Sequence, residues 1–162
     1  MDFDFDDVGF VTSDHHFGHA RIIELCDRPF GSVEEMDAEL LVPGNHDRVS
    51  TATQTRAAIA RFTPVYQAAG WTVLPETLRG GRRGIRLAAS HYPYYGDSHG
   101  EDRFRRCRPV DDGTPLLHGH IHARDHGPNL RQFHVGVDAW DFAPVPMATV
   151  DAWLAGLGAA IA

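Results

Sequence analysis

Four short clusters along the 162-residue chain carry side chains able to hold a divalent ion. They are Asp14-x-His16, Gly44-Asn45-His46-Asp47, Ser90-His91 and Gly119-His120-Ile121-His122. Imidazole is the commonest protein ligand for transition metals. A mixed Asp, Asn and His set suits Mn, Fe, Zn or Ni better than Ca or Mg, which prefer all-oxygen shells. In extended chain, residues i and i+2 point to the same side. Asp14 with His16, and His120 with His122, are therefore expected to face one cavity. A glycine before Asn45 and another before His120 permit a sharp turn or a close approach.

Taken singly, each cluster has a plain structural explanation. Asp-x-His serves as a turn or cap, His91 before Tyr92-Pro93 as a strand-end histidine, and Gly-Asn-His-Asp as a turn. Their joint occurrence points further, because each closes a strand candidate. Sites in open α/β sheets form beyond the carboxyl ends of the strands, so groups far apart in sequence can converge there.

The elements that must position these clusters mix strands and helices, which makes the fold class α/β. Val8–Thr12 reads as a buried strand, and Trp71–Leu74 is a further strand candidate. Thr77-Leu78 and Ile85–Ala89 flank a turn-rich Gly80–Gly84 loop and predict a hairpin. Pro115–His118 and Phe133–Val137 complete the strand candidates. Helices are expected from His19 or Ala20 to Cys26, from Ser32-x-x-Glu35 (a capping box) to about Leu40, and from Gln54 to Phe62. A further short helix is expected after Pro64, and a last one from Trp153 to Ala162. Tyr94–Thr114 reads as a long surface loop, a kind that tends to be functional in compact domains.

Lysine plus arginine is 15 and aspartate plus glutamate is 22, a formal charge of −7. With 43% hydrophobic and 23% charged residues, the composition is that of a globular domain, and residues 1–162 are expected to form a single one. The balance argues against duplex nucleic acid as a partner, since that needs a basic face. Cys26 and Cys107 form no Cys-x-x-Cys pair, and the acidic start Met1–Asp7 lacks the basic region of a secretory signal. No apolar run reaches the ~18 residues of a membrane span. A cytoplasmic location without membrane attachment is expected. Oligomeric state is left open.

With these residues in place, the chain resembles the calcineurin-like metallophosphoesterase family. The motifs that carry the resemblance are Asp14-x-His16, Gly44-Asn45-His46-Asp47, His91 and Gly119-His120-x-His122. Ser13–His19, Arg28-Pro29-Phe30, Ser90–Pro93 and Val135–Trp140 further resemble small bacterial and phage-type members. The resemblance implies a mixed β-sheet sandwich flanked by helices and a site with two divalent metals bridged by hydroxide. It implies Asp14, His16 and His122 on the first metal, and Asn45, His91 and His120 on the second. His46 would be the general acid or the phosphate-contacting group, with Asp47 orienting it. The implied reaction is hydrolysis of a phosphomonoester or phosphodiester, a small molecule or nucleotide, by attack of a metal-bound hydroxide. His19, Arg21, Arg48, His99 and Arg103, with Tyr95, are candidates to hold substrate.

The chain departs from that family at one place. The family carries a Gly-Asp motif, whose aspartate bridges the metals, between the first cluster and Gly-Asn-His-Asp. No Gly-Asp lies between Asp14 and Asn45; the one in this chain is Gly96-Asp97. A strand–helix unit is therefore expected to be missing near residues 39–42. Two cations without a bridging carboxylate repel, so one tightly held metal or two weakly held ones are expected. The competing reading is a metal-binding, catalytically impaired remnant that acts as a binding module.

Overall fold

The computed structural model describes residues 2–13, 40–97, 101, 103–124, 131–141 and 143–161. Asp14, His16, His19, Arg21, His99 and the helices expected between His19 and Glu39 lie outside the described residues. The chain divides into two compact units, Met1–Asp14 with Thr77–Ala162, and His15–Glu76.

The larger unit is built on a five-stranded mixed sheet. Its strands are β1 (Phe3–Asp4), β5 (Thr77–Arg82), β6 (Ile85–Ser90), β7 (Leu116–His118) and β8 (Gln132–His134), in that spatial order. Only β5–β6 is antiparallel; β1–β5, β6–β7 and β7–β8 are parallel. Every residue of β7 and β8 is buried, as parallel strands covered on both faces require. A two-residue pairing of β2 (Phe10–Val11) with β9 (Val145–Pro146) stands beside the sheet. Helix α2 (Met147–Ile161) closes the unit. It brings Trp153 to 5.1 Å from Phe133, ring centroid to centroid.

The predicted hairpin is present, but its turn is shorter than the glycines suggest. Strand β5 runs on to Arg82, and only Arg83 (φ 49°) and Gly84 (φ 79°) make the turn. Positive φ at both central residues is the type I′ geometry, whose twist matches that of the flanking strands. Gly80 is a strand residue for a different reason. A Cβ there would lie 1.7 Å from the Phe3 carbonyl oxygen of parallel β1. Arg82 is buried. Its guanidinium spans Asp151 of α2, at 2.6 and 2.9 Å, and the Phe5 carbonyl, at 2.6 Å.

In the smaller unit, β3 (Leu40–Leu41) pairs in parallel with β4 (Thr72–Val73). Leu40 thus stands in a strand and not at the end of the predicted capped helix. Leu41 gains burial with Val49 and Trp71, packed by Phe62, Tyr66 and Val73. Helix α1 (Arg56–Ala68) is continuous through Pro64, where two helices were expected. Thr55 caps it, accepting from Ala58 N at 3.2 Å. The Thr63 hydroxyl donates to the Ile59 carbonyl at 2.8 Å. Proline interrupts one intrahelical bond, and the packing of Phe62 and Tyr66 on either side of it holds the helix together.

No helix among the described residues is long and apolar enough to cross a membrane.

Candidate functional site

Register brings the described histidines of the larger unit to the carboxyl ends of neighbouring strands. Ser90, His118 and His134 are aligned neighbours at the carboxyl ends of β6, β7 and β8. The ladder continues one step further, through Gly119 N to His91 O at 3.2 Å and Val135 N to His118 O at 2.8 Å. His91 and the segment Gly119–His122 therefore leave the sheet at the same level.

There the Nε2 atom of His91 and the Nδ1 atom of His120 face each other at 3.2 Å. His120 is 3% exposed. Its ring is enclosed by Tyr92 and Phe104, with centroids at 5.1 and 5.3 Å. On its other side, Nε2 lies 3.5 Å from an oxygen of Asp97, whose side chain is 2% exposed. The loop that carries Asp97 is pinned to the sheet by Gln132. Its amide oxygen accepts from Tyr94 N at 2.9 Å, and its amide nitrogen donates to the Tyr95 carbonyl at 2.9 Å. Burial pushes the Tyr94 phenol up, and it donates to the Thr114 carbonyl at 2.7 Å.

His120 and His122 are not an extended i, i+2 pair. Their φ values are 71° and 49°, a left-handed conformation uncommon outside glycine. The chain turns here so tightly that His120 enters the interior while His122 stays exposed. His122 Nδ1 lies 2.8 Å from Asp138 Oδ2. Next to them, the buried rings of His118 and His134 stack at 5.5 Å, and His118 Nδ1 donates to the Gly119 carbonyl at 2.8 Å. Arg103, a substrate candidate by sequence, turns its guanidinium onto Asp97 at 2.9 Å.

In the smaller unit, Gly44–Asp47 is a closed turn, with Asp47 N bonded to Gly44 O at 3.1 Å. Both carboxylate oxygens of Asp47 are engaged. Oδ2 accepts from Gly44 N at 2.7 Å and Oδ1 from the Tyr66 hydroxyl at 3.3 Å. Burial first, and then the Asp47 charge, push the Tyr66 phenol up, so it stays a donor. The Thr53 hydroxyl donates to the Asn45 carbonyl at 3.0 Å. The turn holds Asn45 half-buried and leaves His46 and Arg48 exposed. Arg48 lies over the Phe62 ring at 5.7 Å.

Among the described residues, no group of three His, Cys, Asp or Glu side chains is arranged to hold a metal ion. His91 and His120 form a pair. Sequence reasoning missed Asp97 and Asp138 as partners of the site histidines, and the only signal for the first was the lone Gly96-Asp97 motif.

The described residues define a mixed α/β protein in which His91, His118, His120, His122 and His134 lie at or just beyond the carboxyl ends of three parallel strands. The chain belongs to the family of the mycobacteriophage Gene 66 proteins. It is 37% identical to the Gene 66 protein of Mycobacterium phage D29 over 188 aligned positions, which take in 84% of this chain and 91% of the relative. It is 38% identical to the Gene 66 protein of Mycobacterium phage L5 over 182 positions, 81% of this chain and 86% of the relative. A shorter likeness, 49% over 37 residues, links it to the uncharacterized protein MJ1445 of Methanocaldococcus jannaschii and covers 23% of this chain and 21% of that one. No family model matches, and no solved structure does. Since 84% of 162 residues is about 136, about 52 of the 188 positions aligned with the D29 protein are filled only in the relative. Against the L5 protein, 81% is about 131, which leaves about 51 of 182.

Proposed function

We propose that this chain carries the frame of a metal-dependent phosphoesterase acting on a phosphomonoester or phosphodiester. The observation that carries the reading is the pair of facing nitrogens, His91 Nε2 and His120 Nδ1 at 3.2 Å. Two metal–nitrogen bonds of about 2.1 Å meeting at octahedral to tetrahedral angles separate their nitrogens by about 3.0–3.4 Å. The pair therefore fits two ligands of one ion, of the Mn, Fe, Zn or Ni kind that imidazole favours. A bound divalent ion supplies Lewis acidity toward a phosphoryl group and makes water more acidic.

The chain's own residues contribute binding and proton transfer. His91 and His120 hold one ion. His122, with Nδ1 on Asp138, would join Asp14 and His16 on another, as the resemblance assigns. Asn45 completes the ligand set that the resemblance assigns. His46, exposed on a turn locked by Asp47, would be the group that gives a proton to the leaving oxygen. The fold behind this reading is the helix-flanked β-sandwich of the metallophosphoesterases, short of one strand–helix unit near residues 39–42.

A specific observation favours a second reading. About fifty positions present in the phage relatives are absent from this chain, the length of a strand–loop–helix unit able to bring a bridging aspartate. On that reading the chain retains metal binding but has impaired turnover. One experiment separates the two: metal content per chain, with hydrolysis of a generic aryl phosphodiester in added Mn(II). Turnover abolished by His46→Ala supports the enzyme, and bound metal without turnover supports the remnant. A chain that takes up no metal contradicts both.

A further inference from the structure

The two nitrogens of His120 have different neighbours. Nδ1 faces His91 Nε2 at 3.2 Å, and Nε2 lies 3.5 Å from a carboxylate oxygen of buried Asp97, an ion-pair distance beyond hydrogen-bond geometry. We infer that Asp97 is a positioning residue that fixes His120 in the Nε2–H tautomer, so that its Nδ1 lone pair points at the place where His91 Nε2 also points. As a role in ion binding, this rests on the metal reading above; as a tautomer assignment, it stands on the contacts alone.

The electrostatics decide the tautomer. A neutral imidazole carries its proton on one nitrogen only. With the proton on Nδ1, the Nε2 lone pair would face a carboxylate oxygen in a setting where both side chains are nearly inaccessible to water. With the proton on Nε2, that encounter becomes attractive, and low local polarity strengthens it. In the metal-free protein, His91 then donates its Nε2–H to His120 Nδ1. Ion entry requires His91 to move that proton to its own Nδ1 or to solvent, and the two lone pairs then converge.

Asp97 is itself held in place. Its Oδ2 accepts from Arg103 N at 2.9 Å. Its Oδ1 accepts from the Arg103 guanidinium at 2.9 and 3.3 Å. Arg103 lies over the Phe104 ring at 5.6 Å, and Phe104 in turn meets the His120 ring edge-on. Gly96 supplies the positive φ of 107° that brings Asp97 under the histidine. A charged carboxylate with a half-exposed guanidinium on one side and an imidazole on the other is the arrangement that orients a metal-ligating histidine. Arg103 thus acts on the site through Asp97.

The test uses the full chain, ¹⁵N-labelled and metal-free, with histidine tautomers read by long-range ¹H–¹⁵N correlation. His120 is expected to show a protonated Nε2 and an unprotonated Nδ1. Asp97→Asn is expected to give mixed tautomers and a Co(II) affinity about 10- to 100-fold lower, with Asp97→Glu restoring part of both. Far-UV circular dichroism confirms that each variant is folded. Protonation of wild-type His120 at Nδ1 overturns the inference, as does an Asp97→Asn protein with unchanged tautomer and Co(II) affinity. If wild-type protein shows the Nε2–H tautomer, Asp97→Asn loses it and neither binds Co(II), the tautomer assignment stands and the metal reading falls.

Discussion

Oδ2 of Asp138 accepts from Nδ1 of His122 at 2.8 Å, a contact that orients an exposed imidazole. Asp138 sits in the single 3₁₀ turn Val137–Ala139 that follows β8. The turn is anchored by Val137 N on Ser13 O at 3.1 Å and by Trp140 Nε1 on His134 O at 2.8 Å. A carboxylate so placed fixes the orientation of the ring. Asp138→Asn is expected to weaken Mn(II) binding about 10-fold or more while leaving the thermal midpoint nearly unchanged. Competition against a chromogenic chelator measures the first and a melting curve the second.

The Arg82–Asp151 pair ties the sheet to α2. Arg82→Met leaves the Phe5 carbonyl without its partner and leaves the Asp151 carboxylate only the exposed Arg83 guanidinium, at 3.3 Å. Breaking such a buried pair costs about 3–5 kcal/mol. Urea denaturation of the variant is expected to show that loss, and an unchanged midpoint would refute the assignment.

The same pair sets a pH dependence. Hydrogen bonds from Arg82 hold the Asp151 carboxyl below the usual carboxylate range, and the Asp151 carboxylate raises Arg82 in return. A depressed folded-state pKa contributes stability that is complete above the unfolded value, about 3.9, and is lost as pH falls toward the folded value. Melting temperature is therefore expected to drop below about pH 4, and Asp151→Asn is expected to flatten part of that drop.

Gly80 and Gly81 separate two roles of adjacent glycines. Gly80→Ala drives a Cβ into the Phe3 backbone and is expected to cost more than about 2 kcal/mol, with loss of amide protection in β1. Gly81→Ala meets only the Ile85 carbonyl at 3.8 Å, an ordinary contact, and is expected to be tolerated. Equal effects of the two substitutions would contradict the parallel β1–β5 register.

Tyr66 holds the Gly44–Asp47 turn from α1, accepting from Arg48 N at 3.2 Å while donating to Asp47. Tyr66→Phe is expected to cost about 1–2 kcal/mol and to speed amide exchange at Gly44 and Asp47, with α1 unaffected.

Apolar runs and turn chemistry were enough to anticipate the α/β class, the β5–β6 hairpin, β7, β8 and the strand-end placement of His91 and His118–His122. Features set by long-range contacts were not anticipated. Pro64 predicts a helix break, but the Phe62 and Tyr66 packing overrides it. Leu40 suits a helix and a strand equally, and pairing with Thr72 decides. The glycine run Gly80–Gly84 reads as one loop, although Gly80 serves an interstrand approach and Gly84 a turn. Spacing alone gave His120 and His122 a shared face, which their left-handed backbone removes. Asp97 reaches His120 across 23 residues of chain, a pairing that no local pattern encodes.

His91 and His120 are proposed to bind one ion together. X-ray absorption on the chain loaded with one equivalent of Zn(II) tests it most directly. At least two imidazole nitrogens at about 2.0–2.1 Å are expected in wild-type protein, and the His91→Ala/His120→Ala protein is expected to lose that pair. A wild-type chain that retains no Zn(II), or a spectrum that the double substitution leaves unchanged, would contradict the account.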